Sequence, residues 1–541
     1  MEDAKLLMPN SEEHWNVNRK IFLFASAVVI TGYFALWLMN FRYVYGWYMD
    51  DLYYFDRGTG IVDNPINLFK IWNYTHLNHL IFGTLPVLFD YNIPSLPLPN
   101  LESRTGLFWG FLLFSILLHG ALIAIWVVTL DRIGLNRFIA LSALLLFVTG
   151  PTLMFWAPMP DSRMLGLLVF FPGWLIVFTR DPYHLLYIPR RWVRSVFFAG
   201  VLFSIAQSLQ YTTLYIIFPV LLVYFSYWMV VSYDRASVAR LIAACIAGCL
   251  TVPFLMEVLS AAAGVPLALG PFMTYLERWN AHRALAVLGQ PFAIWLQMFN
   301  LQFGIPLCFL AILGIGATIF NHMNRYGVDG RRLALLAIVV LLGLLQQFFS
   351  NSQAMFRQVS VLLPFLFIFV AIGAATVASL IPGHRWRAVF TVVILVAASI
   401  IPVRESITVF EAQLGLGKAM NWAWAVAGPH KVRFLRIGWF SVGYTGIASE
   451  PQLRRLAPDD LLVSYYPTDT AGLAGVVEPN LRIKSVLEQV VPLYSRPTLY
   501  TTNSMWCEIH SRGNPDYRTM PLMSEARIYR VGDILAHLPV E

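Results

Sequence analysis

Residues 43–55 read YVYGWYMDDLYYF and set Asp50 and Asp51 side by side among aromatic side chains. A carboxylate held near the hydrocarbon edge of a bilayer is costly unless it binds or reacts with something. In that place it can act as general base on a hydroxyl delivered from the aqueous side. The second acid would then orient the first, hold a metal or accept a substrate hydroxyl. A plainer alternative is an aromatic belt at the membrane surface, with two solvated acids capping the next helix. Further on, NYTHLNHLIFGTLP (73–86) offers His76, Asn78 and His79, flanked by Asp56, Asp63 and Asp90. Histidines three apart share one face of a helix, which makes Asp50, His76 and His79 candidates for a divalent metal. Hydrogen-bonding loop histidines, or one histidine on a phosphate, explain the same pair more simply. Asn73-Tyr74-Thr75 matches a glycosylation sequon, which matters only in a secretory-pathway protein.

Three later segments carry isolated charges. APMPDSRMLG (157–166) holds Asp161 and Arg163, read either as a turn with a local ion pair or as a second acidic site lining the same cavity as Asp50. TYLERWNAHRALA (274–286) holds Glu277, Arg278, His282 and Arg283, which snorkelling at a headgroup surface would explain without catalysis. In SNSQAMFRQVSVLLPFLFIF (350–369) the one charge is Arg357, with Pro364 seven residues on. An arginine at a helix N-terminus sits unfavourably in the helix dipole unless an anion is near. A lipid phosphate or pyrophosphate, gripped by the guanidinium fork, would be such an anion. Interfacial snorkelling accounts for Arg357 equally well.

The elements that must position these residues are apolar. The 541-residue chain is 58% hydrophobic and only 13% charged, about half the charged share of a soluble domain. That excludes a cytosolic enzyme, a nucleic-acid binder and a disordered scaffold, and indicates a polytopic membrane protein. A spanning helix needs about 20 apolar residues. Eleven runs qualify, at 21–40, 107–130, 138–158, 164–180, 194–210, 213–232, 239–262, 296–320, 333–349, 359–381 and 387–403. Acids within residues 1–20, and no small-residue cleavage site after the first run, make that run a retained anchor. Placing the N-terminus in the cytoplasm puts sixteen Lys and Arg on inner connections and eight on outer ones, the bias expected of a membrane protein. An odd number of spans then puts the tail outside the cytoplasm. The expected architecture is a transmembrane domain over 1–403, with a long first outer loop at 41–105, followed by a soluble α/β domain over 404–541. In that tail KVRFLRIG (431–438) and DLLVSYYP (460–467) look like strands, and 405–427 and 481–491 look helical. Four cysteines supply no disulfide framework and no zinc pattern.

Taken together, these features resemble the GT-C superfamily of membrane glycosyltransferases, above all the dolichyl-phosphate-mannose protein mannosyltransferases and the bacterial lipid A aminoarabinose transferases. The resemblance covers about 21–403: a cytoplasmic N-terminus, a long first outer loop, an acidic pair after the first span, and a tail outside. Asp50-Asp51 stands where family members show Asp-Asp or Asp-Glu. The family's His-Pro-Pro-Leu-like segment is matched loosely by HLNHLIFG, without the prolines. Its late Arg-Tyr-x-x-x-x-x-Pro pattern is matched by Arg357 and Pro364, with Gln358 in place of the tyrosine. The resemblance implies inverting transfer of a sugar from a polyprenyl-phosphate donor to a hydroxyl of a lipid, glycan or protein on the outer side of the membrane, in a bacterial inner membrane. It implies Asp50 as base, Asp51 as its partner or the alternative base, and Asp161 as acceptor positioner. Arg357 would bind the donor phosphate, with His79, Arg163 and Arg283 behind it. The implied partners are the lipid-linked donor, the acceptor and membrane lipids, with no nucleic acid. No cofactor is required, although some relatives use a divalent metal.

The rival class is a transporter or a flippase for lipid-linked glycans. Transporters carry charges within spans and near broken helices. Here Glu257 is the one acid plainly inside a run, and the other ionisable residues gather at the outer surface. An oligosaccharide-transferring enzyme of the same fold is a second rival, but the tail holds no Trp-Trp-Asp motif. A structural protein that has lost activity is a third.

Overall fold

The computed structural model describes residues 17–41, 60–70, 77, 80–81, 84, 106–157, 162–183, 185, 187–210, 213–264, 292–320, 330–350, 359–428, 431–434, 450–464, 487–492 and 525–537. The helices in chain order are α1 (Arg19–Met39), α2 (Asn67–Lys70), α3 (Gly106–Arg132), α4 (Arg137–Val148), α5 (Pro151–Trp156), α6 (Ser162–Thr179) and α7 (Arg190–Leu209). They continue with α8 (Leu214–Val231), α9 (Arg235–Cys249), α10 (Thr251–Ala262), α11 (Phe292–Phe320), α12 (Gly330–Ser350), a 3₁₀ turn at Ser360–Leu362, α13 (Leu363–Ala378) and α14 (His384–Ala427). The C-terminal region adds β1 (Val432–Phe434), α15 (Glu450–Leu453), β2 (Leu461–Ser464), β3 (Leu487–Pro492), β4 (Glu525–Arg530) and α16 (Val531–His537).

Each of the eleven apolar runs forms helix. Among the described residues eight helices are long and apolar enough to cross a membrane, and a ninth span results if α9 and α10, bent by 43° at Leu250, count as one. The run at 138–158 divides into α4 and α5 because Gly150 and Pro151 interrupt it, proline fitting the first turn of the second helix. Large apolar side chains such as Phe24, Phe254, Ile312 and Val396 are exposed. In water such a surface would aggregate; in a bilayer it is the solvated face. The protein is an α-helical integral membrane protein.

At the centre lies α13, whose residues from Leu363 to Ala374 are all buried. A helix that is apolar on every side belongs inside a bundle. Phe365 is its aromatic hub, with ring centroids 4.9 Å from Trp174, 5.5 Å from Trp126 and 5.7 Å from Phe171. Those rings come from α3 and α6, so one side chain gathers three helices. On another side α13 meets α11 backbone to backbone. A Cβ on Gly314 would strike the Phe369 carbonyl, and one on Gly373 would strike the Leu310 carbonyl. The same device joins α7 and α9, where Gly200 faces the Cys245 carbonyl and Gly248 faces that of Phe197. Small residues let membrane helices approach closely and gain dispersion contacts that lipid cannot match.

Ion pairs fix which helix ends lie together. Asp131, at the end of α3, binds Arg19 of α1 at 2.8 Å and Arg137 of α4 at 3.8 Å. Asp181, just past α6, lies 3.6 Å from Arg332 of α12 and accepts a hydrogen bond from Tyr227 of α8 at 3.3 Å. These contacts collect the starts of α1, α4 and α12 with the ends of α3, α6 and α8 at one end of the bundle, called here the Arg19 end. The opposite helix termini form the other end.

Beyond that other end stands the sheet, in the order β1-β2-β4-β3. β1 and β2 run parallel, and β4 pairs antiparallel with both β2 and β3. Residues 487–491, expected to be helical, form strand β3. The β-branched pair Val490-Val491 suits a pleated surface, and β4 supplies its hydrogen bonds. α14 runs unbroken from the bundle to the sheet and packs on all four strands. At the sheet's margin the exposed pair Lys431–Asp459 raises the lysine's pKa and lowers the carboxyl's through their mutual hydrogen bond.

The glycine contacts make a direct prediction. Gly314→Val and Gly373→Val should each destabilise the detergent-solubilised protein by about 1–3 kcal/mol through overpacking. Gly316→Val is the comparison, since nothing lies within 4 Å of a Cβ there. Thermal unfolding of the three variants is the measurement; equal melting of all three would mean that the close approach contributes nothing.

Candidate functional site

Polar side chains are buried in the bundle mainly at the end away from Arg19. Arg163, in the first turn of α6, is 6% exposed. Its guanidinium carbon lies 5.0 Å from the centre of the Trp156 ring, which α5 presents from the other side of the connection. A guanidinium over an indole face is attracted by the ring quadrupole, so a residue seven positions earlier helps to direct Arg163. Trp156 is fixed in turn, because the next carbonyl, that of Ala157, accepts a hydrogen bond from Ser115 of α3 at 2.9 Å. One turn deeper on α3, His119 Nδ1 lies 2.7 Å from the Ser115 carbonyl. A carbonyl only accepts, so Nδ1 carries the proton of that bond.

Two further groups of polar residues lie at the same end. Where α7 gives way to α8, Gln210 and Thr213 are buried and joined by a 2.8 Å bond from Thr213 Oγ1 to the Gln210 carbonyl. Gly166 lets α6 approach this corner, since a Cβ there would meet Thr213 Cγ2 at 2.8 Å. On α14, Glu405 and Ser406 are buried three and four residues past Pro402. Ser406 Oγ donates to the Thr149 carbonyl at 2.5 Å and to the Pro402 carbonyl at 2.8 Å. Proline has no N–H for the turn before it, and Ser406 ties the altered turn to the end of α4. One turn further, Phe410 meets Trp37 of α1 with ring centroids 5.2 Å apart. Glu405 therefore sits where α1, α4 and α14 converge, below the sheet.

Of the residues singled out from sequence, Arg163 is described, and it is buried against Trp156. Asp50, Asp51, His76, His79, Asp161, Arg283 and Arg357 lie outside the described residues. Among the described residues no three His, Cys, Asp or Glu side chains gather as a metal site. Glu257, the acid noted within a run, lies half-buried on α10, where its carbonyl accepts from Ser260. Sequence reading missed Glu405, because the apolar run stops at 403 and the next residues looked like the start of a soluble tail. The signal for it was Pro402 followed by an acid and a hydroxyl one turn on. His119 was missed because it lies alone in an apolar run.

No family model matches the chain, and no curated protein matches it. Among solved structures it is similar to the crystal structure of the Archaeoglobus fulgidus oligosaccharyltransferase in complex with zinc and sulfate, at 13% identity and a TM-score of 0.40. The match covers 74% of this chain and 55% of that one, so the chain spans about half the length of that structure. A superposition at that level leaves the activity to be argued from this chain's own residues.

The tie between α14 and α4 can be tested. Ser406→Ala leaves the Thr149 carbonyl without its hydroxyl donor and should cost about 1–3 kcal/mol. Ser399→Ala, which removes only a bond to the Leu395 carbonyl within its own helix, should cost much less. Chemical denaturation of the two variants in one detergent checks the difference.

Proposed function

We propose that this protein is an inverting glycosyltransferase that moves a sugar from a polyprenyl-phosphate donor to a hydroxyl of a lipid, glycan or protein. The observation that carries the reading is the burial of Arg163 and Glu405 toward one end of the bundle, the end that faces the sheet. The connections bearing the sequence's acids belong with that end by chain order. Asp50 and Asp51 follow α1, and Asp161 stands two residues before Arg163. Arg357 stands three residues before Ser360, which is itself buried. Ionisable groups collected at one interface suit chemistry on a lipid-borne substrate, whose phosphate stays at headgroup level while its chain stays in the hydrocarbon.

In this reading a carboxylate of the first loop, Asp50 with Asp51 beside it, takes the proton of the acceptor hydroxyl as the oxygen attacks the anomeric carbon. The bond to the polyprenyl phosphate breaks on the opposite face, which inverts the configuration. A single-displacement transfer needs one carboxylate at the reacting centre and no covalent sugar intermediate. Asp161 positions the acceptor. Arg357, with His79, Arg163 and Arg283, balances the phosphate charge that builds up on the leaving group. The stack on Trp156 presents Arg163 in a fixed direction, which lowers the cost of ordering it when the donor arrives. The reading takes the N-terminus as cytoplasmic and the reacting end as extracytoplasmic, in a bacterial inner membrane, with the sheet over the cavity. If a divalent metal takes part, Asp50, His76 and His79 are the residues that would hold it.

Transport by the same chain is the second reading. It is favoured by the non-helical Gly304, at φ 71°, just before Pro306 in α11, and by the bend between α9 and α10. Broken spans often line transport sites.

One experiment separates the two. Cells lacking the protein are complemented with wild type, Asp50→Asn or Asp51→Asn at matched membrane abundance, and their envelope glycans and glycolipids are profiled by mass. The expected result is that an Asn variant loses one defined sugar mass, with transfer down by about 10²–10⁴-fold as for a missing general base. A complete profile with both variants would remove the acid pair from the reaction and leave transport as the better reading.

A further inference from the structure

Among the described residues the Arg19 end carries more cations than its acids pair with. Asp131 is taken by Arg19 and Arg137, and Asp181 by Arg332 and Tyr227. Asp234 caps α9 by accepting from the Ser237 N–H at 2.9 Å, while Arg331 lies over the Tyr183 ring at 3.6 Å. Lys20, Arg132 and Arg235 have no ion pair among the described residues, but Arg180, Arg190, Arg191 and Arg194 are the four that the end of α6 and the first turns of α7 bring together. Among the described residues none of these four has an ion-pair partner.

Their arrangement is specific. Arg180, just past the end of α6, stacks on Trp192 of α7 with its guanidinium carbon 5.4 Å from the ring centre. Its Nε is shielded from solvent and has no hydrogen-bond partner in the protein, while the side chain as a whole is half-buried. Burial, and then the neighbouring Arg191 charge, pull its pKa below the usual arginine value. Arg191 and Arg194 are exposed and three residues apart, on one face of α7. The next positions toward the hydrocarbon, Phe197 and Phe198, are 42% and 54% exposed. The first turn of α7 holds no acid, and its N-cap, Pro189, makes no side-chain cap bond. The helix dipole therefore adds to the arginines rather than opposing them.

We propose that Arg180, Arg191 and Arg194 form a binding site for the phosphate of an anionic phospholipid in the leaflet at the Arg19 end. The phosphate accepts from the accessible face of the Arg180 guanidinium and from the two exposed guanidinium groups, and an acyl chain lies along Phe197 and Phe198. Basic pockets of this kind between membrane helices hold lipid headgroups. A free phosphate would meet the same cations but gain nothing from the phenylalanines. The site lies at the opposite end of the bundle from the proposed transfer reaction and stands whether or not that reading holds.

The test uses the full-length protein in a neutral detergent, as wild type and as Arg191→Gln/Arg194→Gln. Both substitutions are at exposed positions, and equal unfolding temperatures without lipid will show that the variant folds. Phosphatidylglycerol, phosphatidylcholine and inorganic phosphate are titrated separately, with bound lipid read by native mass spectrometry and protection by the shift in unfolding temperature. Wild type should bind phosphatidylglycerol at least about tenfold more tightly than the variant, as expected for the loss of two interfacial arginines. Arg191→Lys/Arg194→Lys should recover most of that binding. Equal binding of phosphatidylglycerol by wild type and the Gln variant would overturn the site. Wild-type binding of phosphatidylcholine as tight as that of phosphatidylglycerol would reduce it to an apolar annulus. Protection by inorganic phosphate equal to that by the lipid would make it a site for free anions, which also overturns the proposal.

Discussion

The bundle depends on one close approach, that of the α11 and α13 backbones at Gly314 and Gly373. In water, burial of apolar area would drive helices together whatever their surface. In hydrocarbon that drive is absent, and helices prefer each other to lipid only where contact is closer than lipid can achieve. The two glycines remove the side chains that would hold α11 and α13 apart. With α13 seated in this way, Phe365 reaches Trp126, Phe171 and Trp174, and α3 and α6 take their places around it. α7 and α9 repeat the arrangement at Gly200 and Gly248.

Charge divides the molecule along the other axis. At the Arg19 end charges meet charges, as in Arg19–Asp131–Arg137 and Asp181–Arg332, and lock helix ends in register. At the opposite end the contacts include an indole face for Arg163 and carbonyls for Ser115, Thr213 and Ser406. The first pattern fastens the bundle. The second holds single side chains in fixed directions, as the Trp156 ring does for the Arg163 guanidinium.

The sequence revealed the helices well, because a span must be apolar over its whole length and little else is. The run at 359–381 could be read directly as α13, and its uniform composition already marked a helix without a wet face. The division of 138–158 at Gly150-Pro151 was written in the residues but hidden by unbroken hydropathy. The strand at Leu487–Pro492 was hidden because its partner β4 lies more than thirty residues away in the chain, and local pattern does not report such pairing. For the site, the acids of the first loop stood out by type and neighbourhood. The Trp156–Arg163 stack and the buried Glu405 did not, since both depend on which helices end side by side. Glu405 was further masked by reading 387–403 and 405–427 as two separate helices, whereas α14 runs through both to Ala427.

The position of α13 in the chain bears on how the protein is made. The helix at the centre of the bundle is among the last to leave the ribosome, after α3, α6 and α11 have entered the bilayer. Until it arrives, Trp126, Phe171 and Trp174 lack the Phe365 ring, although Trp126 and Phe171 already meet each other with centroids 4.8 Å apart. Lipid tolerates them, since acyl chains solvate an aromatic face almost as well as Phe365 later does. The unfinished chain can already join α7 to α9 and α3 to α6, and closure around α13 becomes a late event within the membrane, shortly before the segments of the sheet are synthesised.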